Sequence, residues 1–372
     1  MTKRKILTTW LAYAVLSGCT IFVPPSVPDT STGSTATQTL PRQASARAPD
    51  AAPSTVPDAG SLLGDELDKQ RKPTPTPAIV HTPIPPPLLI EQAGQTGQVA
   101  NLTLSEISGL AVSRTMPGVL FAMNDGGNSP ELYAMSQTGA DLGHWRINAR
   151  NRDWEDMANA HIDGKDYLVL GDTGDNWQKR PEGTLYLIEE PSLDTPASTV
   201  LEPQRTVRYR YEDGSRNVEA FAVSEGTVYF ITKEPIGPSG AQASRLYILP
   251  LPKQQKDEVL VARFVGKLPL PQAGLEARLA AAVVGVDLNH PTALDFDPTS
   301  DTAYLLTYRH VIRIKRRDDQ SWDDALTASS QRIHAHTLRQ AEALAVLPGQ
   351  SIWFTSEHAA APIWALPITP PS

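Results

Sequence analysis

The chain has 372 residues, one cysteine, 33 prolines and a formal net charge of −8. An acidic balance with scattered basic residues argues against a nucleic-acid surface. A lone cysteine excludes an internal disulfide and a cysteine-based metal site.

The first five residues, MTKRK, form a short cationic opening, and residues 6–16 (ILTTWLAYAVL) are uncharged, mostly apolar and too short to span a bilayer. That is the plan of a secretory signal peptide over residues 1–18. Leu16-Ser17-Gly18-Cys19 then resembles the bacterial lipobox, in which small residues lead the backbone through a peptidase site to the cysteine that takes diacylglycerol. The resemblance implies cleavage before Cys19 and lipidation of Cys19, including acyl chains such as palmitate. Thr20 stands where an inner-membrane retention signal places aspartate, so the implied site is the bacterial outer membrane, lipid-anchored, on the periplasmic face.

Residues 19–87 are dominated by Pro, Ser, Thr, Ala and Asp and show no sustained apolar periodicity. Such a segment cannot bury enough apolar surface to offset chain ordering, so a disordered linker is expected. Its proline-rich end predicts a stiff spacer, at about 3.1 Å per residue in polyproline geometry.

From residue 88 to about 370 the composition changes to short apolar runs separated by turn residues, which predicts an all-β domain. A paired pattern recurs. Glu106-Ile107-Ser108-Gly109-Leu110-Ala111-Val112 precedes a run ending at Asn124-Asp125, and Asp153-Trp154-Glu155-Asp156-Met157-Ala158 precedes one ending at Asp172. Asn217-Val218-Glu219-Ala220 precedes a run ending at Thr232-Lys233; Pro291-Thr292-Ala293-Leu294 and Ala341-Glu342-Ala343-Leu344 precede runs ending at Tyr308-Arg309 and Ser356-Glu357. A third strand follows each pair, as in Leu132-Tyr133, Leu185-Tyr186, Leu246-Tyr247, Ile312-Arg313 and Ile363-Trp364. Five imperfect repeats of short strands point to a five-bladed β-propeller, with a divergent sixth blade left open around residues 259–268. Residues 88–103 are expected to supply the outer strand that closes the ring, which removes an exposed sheet edge. The one helical stretch expected is 275–282, as an insertion between blades.

In a propeller, equivalent positions of the repeats converge near the axis. Glu106, Glu155, Glu219 and Glu342 read as matched residues at four strand openings, with Thr292 in the fifth. Asp125, Asp172, Lys233, Arg309 and Glu357 read as a neighbouring polar surface for a ligand. Converging carboxylates repel one another unless a cation offsets them, and calcium accepts six to eight hard oxygen ligands. Asp172, Asp175 and Asn176 in Gly171-Asp172-Thr173-Gly174-Asp175-Asn176 add side-chain oxygens on glycine-rich bends, so the expected cofactor is calcium. A purely structural use stays open, because the same residue types close β-turns.

Through Glu106-x-Ser108-Gly109, Asn124-Asp125-Gly126-Gly127, Asp153-Trp154-Glu155-Asp156 and Gly171 to Asn176, the chain resembles a group of bacterial secreted or lipid-anchored β-propeller proteins over about residues 100–366. More distantly it is similar in plan to the calcium propellers of the strictosidine synthase, gluconolactonase and paraoxonase type. That resemblance implies a channel-bound calcium polarising a lactone or ester, although the metal-ligand pattern is not matched residue by residue. No Gly-x-Ser-x-Gly elbow, phosphate loop, dinucleotide fingerprint or His-Glu-x-x-His site occurs. His334 and His336 read as surface residues on one strand face, and the tryptophans as packing between blades, with Trp177 on a loop. Two functions follow: a membrane-anchored ligand- or protein-binding module, or a calcium-dependent hydrolase of an ester, lactone or phosphoester. In the second, Glu106, Glu155, Glu219 or Glu342 acts as general base.

Overall fold

A computed structural model describes residues 83–237, 240–271 and 287–368. The chain divides into Met1–Ile79 and Val80–Ser372, and everything below concerns the second unit. The signal peptide, Cys19, the linker before residue 83 and the helix expected at 275–282 lie outside the described residues.

In chain order, β1 (Gly94–Gln98) precedes the first repeat, formed by β2 (Ile107–Val112), β3 (Val119–Asn124), β4 (Glu131–Ser136) and β5 (Asp141–Ile147). The second repeat is β6 (Trp154–Ile162), β7 (Lys165–Asp172) and β8 (Gly183–Ile188); β9 (Val200–Leu201) then runs parallel to β5, and β10 (Arg205–Tyr211) completes the repeat against β8. The third is β11 (Val218–Ser224) and β12 (Thr227–Thr232), a two-residue hairpin of β13 (Ile236–Gly237) and β14 (Gly240–Ala241), then β15 (Arg245–Pro250) and β16 (Leu260–Lys267). The fourth is β17 (Pro291–Asp297), β18 (Thr302–Thr307) and β19 (His310–Lys315), helix α1 (Trp322–Ala328), then β20 (Gln331–Ala335). The last is β21 (Ala341–Leu347), β22 (Ser351–Ser356) and β23 (Pro362–Pro367). Within each repeat, successive strands pair antiparallel.

Two features make this a β-propeller. The inner strands pack side by side in the order β2, β6, β11, β17, β21 and back to β2. The core is divided into clusters that each sit between neighbouring repeats. Between the second and third, for example, Tyr209 stacks on Phe230 with ring centroids 4.7 Å apart. Strand β1 pairs antiparallel with β23, so residues from the start of the domain finish the last sheet, as the closure argument requires. Residues 260–267, read above as a possible further blade, instead pair with β15 as the outer strand of the third repeat.

Burial explains why the repeats are readable. β2 and β3 are buried along their whole length, so they are continuous apolar runs rather than alternating ones. Outer strand β10 alternates buried Val207, Tyr209 and Tyr211 with exposed Arg208 and Arg210. Helix α1 is capped by Ser321, which accepts from the Asp324 N–H, and buries Trp322 against Phe296, 4.5 Å away between centroids. His334 and His336 are not surface decoration. Their rings pack against Phe354 in the fourth-to-fifth interface, and His336 is buried with Nε2 3.2 Å from the Thr307 carbonyl.

Candidate functional site

The strand register locates the site. Each inner pair has a bulge at its first step: Trp154 faces Asp172 and Asp156 faces Gly171, which leaves Glu155 unpaired in the ladder. The same skip leaves out Ser108, Glu219, Thr292 and Glu342 in the other repeats. A bulge of this kind re-aims one side chain and bends its strand. Where the bulged residue is a hydroxyl it stitches the ring: Ser108 Oγ donates to the Trp154 carbonyl at 3.2 Å, and Thr292 Oγ1 to the Ala341 carbonyl at 2.8 Å. Where it is a glutamate, it turns toward the other glutamates.

Glu106 therefore does not match Glu155, Glu219 and Glu342; Ser108 does. Glu106 precedes its strand, is exposed, and accepts from Asn128 Nδ2 at 2.7 Å. Its register equivalents are Asp153, Asn217, His290 and Gln340. The displacement is two residues, which keeps every side chain on the same strand face and so leaves the apparent pattern unchanged.

Glu155, Glu219 and Glu342 come together, with one carboxylate oxygen of each within 4.8 Å of the others. Asp125, Asp153 and Glu155 form a second group meeting the same limit, so Glu155 is shared. Lys233 Nζ lies 3.0 Å from Glu219 Oε2 and donates to Tyr308 Oη at 3.1 Å, while Tyr308 is hydrogen-bonded to Glu342. Asn217 Nδ2 donates to Glu219 Oε1 at 2.9 Å, and Gln340 Nε2 to Glu357 Oε2 at 2.5 Å. Asp125, Lys233 and Glu357 thus belong to the mouth. Arg309 does not hold the equivalent place: Tyr308 follows β18 directly and meets Lys233. Arg309 instead accepts at its carbonyl from the His336 N–H at 3.0 Å; burial first, with smaller contributions from His334, His310 and Arg309, disfavours protonation of His336.

Charge crowding is the dominant property. Burial, with repulsion from Glu342, Glu219 and Asp153, pushes Asp125 up to about 8 against one opposing backbone hydrogen bond. Burial and then Asp125, Glu106 and Glu219 raise Glu357 to about 8. Asp153 rises to about 6 through burial and Glu219, even with Arg180 nearby. Burial first, then neighbouring carboxylates, also holds Glu155 and Glu342 well above the ordinary range. Burial opposes the charge on Lys233, but Glu219, Tyr308, Glu342 and Glu155 together keep its ammonium favoured.

The segment from Gly171 to Asn176 does different work from that expected. Asp172 Oδ1 accepts from Arg180 Nη2 at 2.6 Å and from the Asp153 N–H at 3.2 Å; Asp175 Oδ2 accepts from the Arg180 N–H at 2.6 Å. Asn176 is exposed, with Oδ1 3.3 Å from Asn217 Nδ2. Asp172, Asp175 and Asn176 therefore brace the turn beside the carboxylates rather than joining either group. Gly174 is required there: a Cβ would run into Glu155 Oε1 and lie 2.6 Å from the Asp153 carboxylate. Gly126 also packs on Asp153: a Cβ there would lie 2.5 Å from its Oδ1 and 2.7 Å from its Cα.

Beneath the mouth, Asp156 is fully buried on β6. Its Oδ2 accepts from the N–H groups of Phe221 on β11 and Leu294 on β17, at 2.9 and 3.2 Å, and its Oδ1 from Met157 at 2.8 Å. One carboxylate thus ties together inner strands of the second, third and fourth repeats. Asp153, Tyr308, Asn217 and Asp156 were not among the residues expected from sequence. The signal that finds them is the register of the repeats, not residue type.

The donors in both groups are hard carboxylate oxygens, which suits calcium or magnesium rather than zinc or copper. His290 lies near Lys233, and burial and then Lys233 disfavour its protonation, against Asp287 and Glu219; its Nε2 is 2.9 Å from the Glu234 carbonyl. The hydroxyls of Ser108, Thr173 and Thr292 donate to backbone carbonyls, so none of them is held against a base as a nucleophile.

No protein-family model matches the sequence, and no curated protein matches it. Solved structures similar in fold include the Dos1 propeller, at a TM-score of 0.33 and 12% identity, covering 68% of this chain and 53% of that one; this chain thus spans about half its length. The PQQ-bound aldose sugar dehydrogenase from Streptomyces coelicolor gives 0.36 and 11% over 75% of this chain and 99% of that chain. A structural genomics protein from Bacteroides thetaiotaomicron gives 0.38 and 10% over 74% and 72%. At these values the likeness says nothing of chemistry, and the propeller rests on the strand order above.

Proposed function

We propose that this chain is a lipid-anchored periplasmic binding protein whose five-bladed propeller presents a calcium-bearing acidic mouth to a ligand or a partner protein. The five-blade reading is supported by the closed order of inner strands and by core clusters between successive repeats. The anchor, the Cys19 lipid and the outer-membrane location are supported by the lipobox-like Leu16-Ser17-Gly18-Cys19 and by Thr20. Among the described residues no helix is long and apolar enough to cross a membrane.

The observation that carries the cation is Glu155. It is 4% exposed and stands between two carboxylate groups, and among the described residues no hydrogen bond or ion pair reaches its carboxylate. Lys233 acts on Glu155 from beyond ion-pair distance, while Glu219, Asp125 and Asp153 oppose its charge; a buried anion so crowded is costly, and a divalent ion adds the charge that one lysine does not. When bound, calcium would offer a positive centre for an oxygen ligand. The nearby Ser108, Thr173 and Thr292 hydroxyls are committed to the backbone, which disfavours a covalent route through them.

One observation favours the calcium-dependent hydrolase of an ester, lactone or phosphoester as a second reading. Asp125 and Glu357 carry values of about 8 in the same mouth, in the range where a carboxyl exchanges protons near neutral pH. Melting the full chain in calcium and in chelator tests the cation. At a calcium concentration one hundred times Kd, linkage contributes about 2.7 kcal/mol, a rise of about 4–5 °C for a domain of roughly 280 residues. An unchanged melting temperature removes calcium from both readings. Turnover of an ester, lactone or phosphoester that Glu155→Gln abolishes would favour the hydrolase.

A further inference from the structure

The two carboxylate groups are not equivalent. On the Glu219–Glu342 side the charges already have partners: Lys233 is 3.0 Å from Glu219, Asn217 donates to Glu219, and Tyr308 links Lys233 to Glu342. On the Asp125–Asp153 side, among the described residues, no ammonium or guanidinium stands within ion-pair distance of a carboxylate, and Lys233, bound to Glu219, acts on Glu155 only from farther off. Arg180, the nearest cation acting on Asp153, is committed to Asp172 at 2.6 Å and to the Asp175 turn. Neither Asp153 nor Glu155 accepts a side-chain hydrogen bond among the described residues, and Glu155 is 4% exposed. The glycines at 126 and 174 let these carboxylates approach the backbone: Gly174 is packed by both Glu155 and Asp153, and Gly126 by Asp153, so neither position tolerates a Cβ without displacing them.

We infer that the mouth takes one divalent cation, bound by Asp125, Asp153 and Glu155, and that Lys233 is a built-in cation filling the half between Glu219 and Glu342. The inference rests on the cation-bearing reading given above, and adds which carboxylates bind and how many ions enter. A lysine fixed within hydrogen-bond distance of a carboxylate supplies one positive charge without a coordination sphere, and repels a second ion from the same oxygens. The sequence pattern alone points elsewhere, to Glu106, Glu155, Glu219 and Glu342, and does not single out Asp153.

Calorimetric titration of calcium into the full chain tests this. Wild type should bind one ion per chain. Asp153→Asn removes one ligand at a half-buried position where no hydrogen bond is lost, and should weaken affinity at least tenfold while the metal-free melting temperature holds or rises. Lys233→Met should raise the stoichiometry to two, by vacating the second half. Glu189→Gln, on an exposed residue paired with Lys165, serves as the control. Wild-type affinity in Asp153→Asn together with a tenfold loss in Glu219→Gln would overturn the assignment and leave a calcium-binding protein. Two ions in wild type, or one in a folded Lys233→Met, would overturn the role of Lys233. No calcium binding at all would overturn both this inference and the function it rests on. If Lys233→Met does not fold, the Asp153→Asn and Glu219→Gln affinities decide the site.

Discussion

Asp156→Asn is the sharpest test of how the ring is held under the mouth. The carboxylate receives three backbone donors, two at Oδ2 and one at Oδ1. An amide has one acceptor oxygen. Placed toward Phe221 and Leu294 it keeps two of the three bonds and turns its NH2 toward the Met157 N–H. The Met157 N–H and the new NH2 are then both without an acceptor, which relief of the buried charge offsets in part, for a net cost of about 1–3 kcal/mol. For a domain of roughly 280 residues that lowers the melting temperature by about 2–5 °C. Asp156→Ala leaves all three donors without a partner and should cost several kcal/mol more, roughly 3–6 kcal/mol in total once relaxation is allowed for. Thermal unfolding of both variants in chelator reads the effect without a contribution from calcium. A variant pair as stable as wild type, or more stable, would refute the idea that Asp156 holds β6 to β11 and β17.

Other consequences of the geometry are open to measurement. Glu155→Gln removes a buried carboxylate crowded by Glu219, Asp125 and Asp153 and held by no direct hydrogen bond or ion pair among the described residues, so in chelator it should stabilise by about 1–3 kcal/mol, and the calcium-dependent rise in melting temperature should vanish. Gly174→Ala forces a methyl group into the Glu155 and Asp153 carboxylates; it should weaken calcium affinity by at least tenfold while stability falls by about 1–3 kcal/mol, as titration and melting would show. The folded values of Asp125 and Glu357, about 8, lie above the ordinary carboxylate range. For raised carboxylates the contribution to stability is complete below the unfolded values and is lost as pH rises through the folded ones. Metal-free protein should therefore lose stability between about pH 4 and pH 8, and saturating calcium should flatten that slope. A chelator-treated sample that gains stability over that range would contradict the crowding of charge.

Much of the architecture was legible because strands buried on both faces appear as nearly unbroken apolar runs, such as Val119 to Met123 on β3, the partner of the innermost strand β2. Closure was also legible, though not from propensity: Gly94–Gln98 has no apolar residue, and its strand follows from the need to cover the edge of β23. The site was legible in kind but misread in register. Acidic letters aligned Glu106 with Glu155, whereas the bulges align Ser108 with it, and a slip of two leaves strand polarity intact. Asp153 was passed over because a loop aspartate ahead of a strand looks like turn chemistry. Tyr308 was passed over because it reads as the end of an apolar run, although the hydroxyl beyond its ring meets Lys233. Conversely, Asp172, Asp175 and Asn176 looked like ligands by composition and turned out to be occupied, the first two by Arg180 a few residues on and Asn176 by Asn217 from the next repeat.

The central claim is that the acidic mouth is a cation site centred on Glu155. A crystal of the full chain soaked with terbium, a calcium substitute with strong anomalous scattering, tests it most directly. One anomalous peak within about 2.3–2.6 Å of carboxylate oxygens of Asp125, Asp153 and Glu155 is the predicted result. A mouth without a peak, at concentrations where terbium occupies other carboxylates of the same crystal, would contradict it.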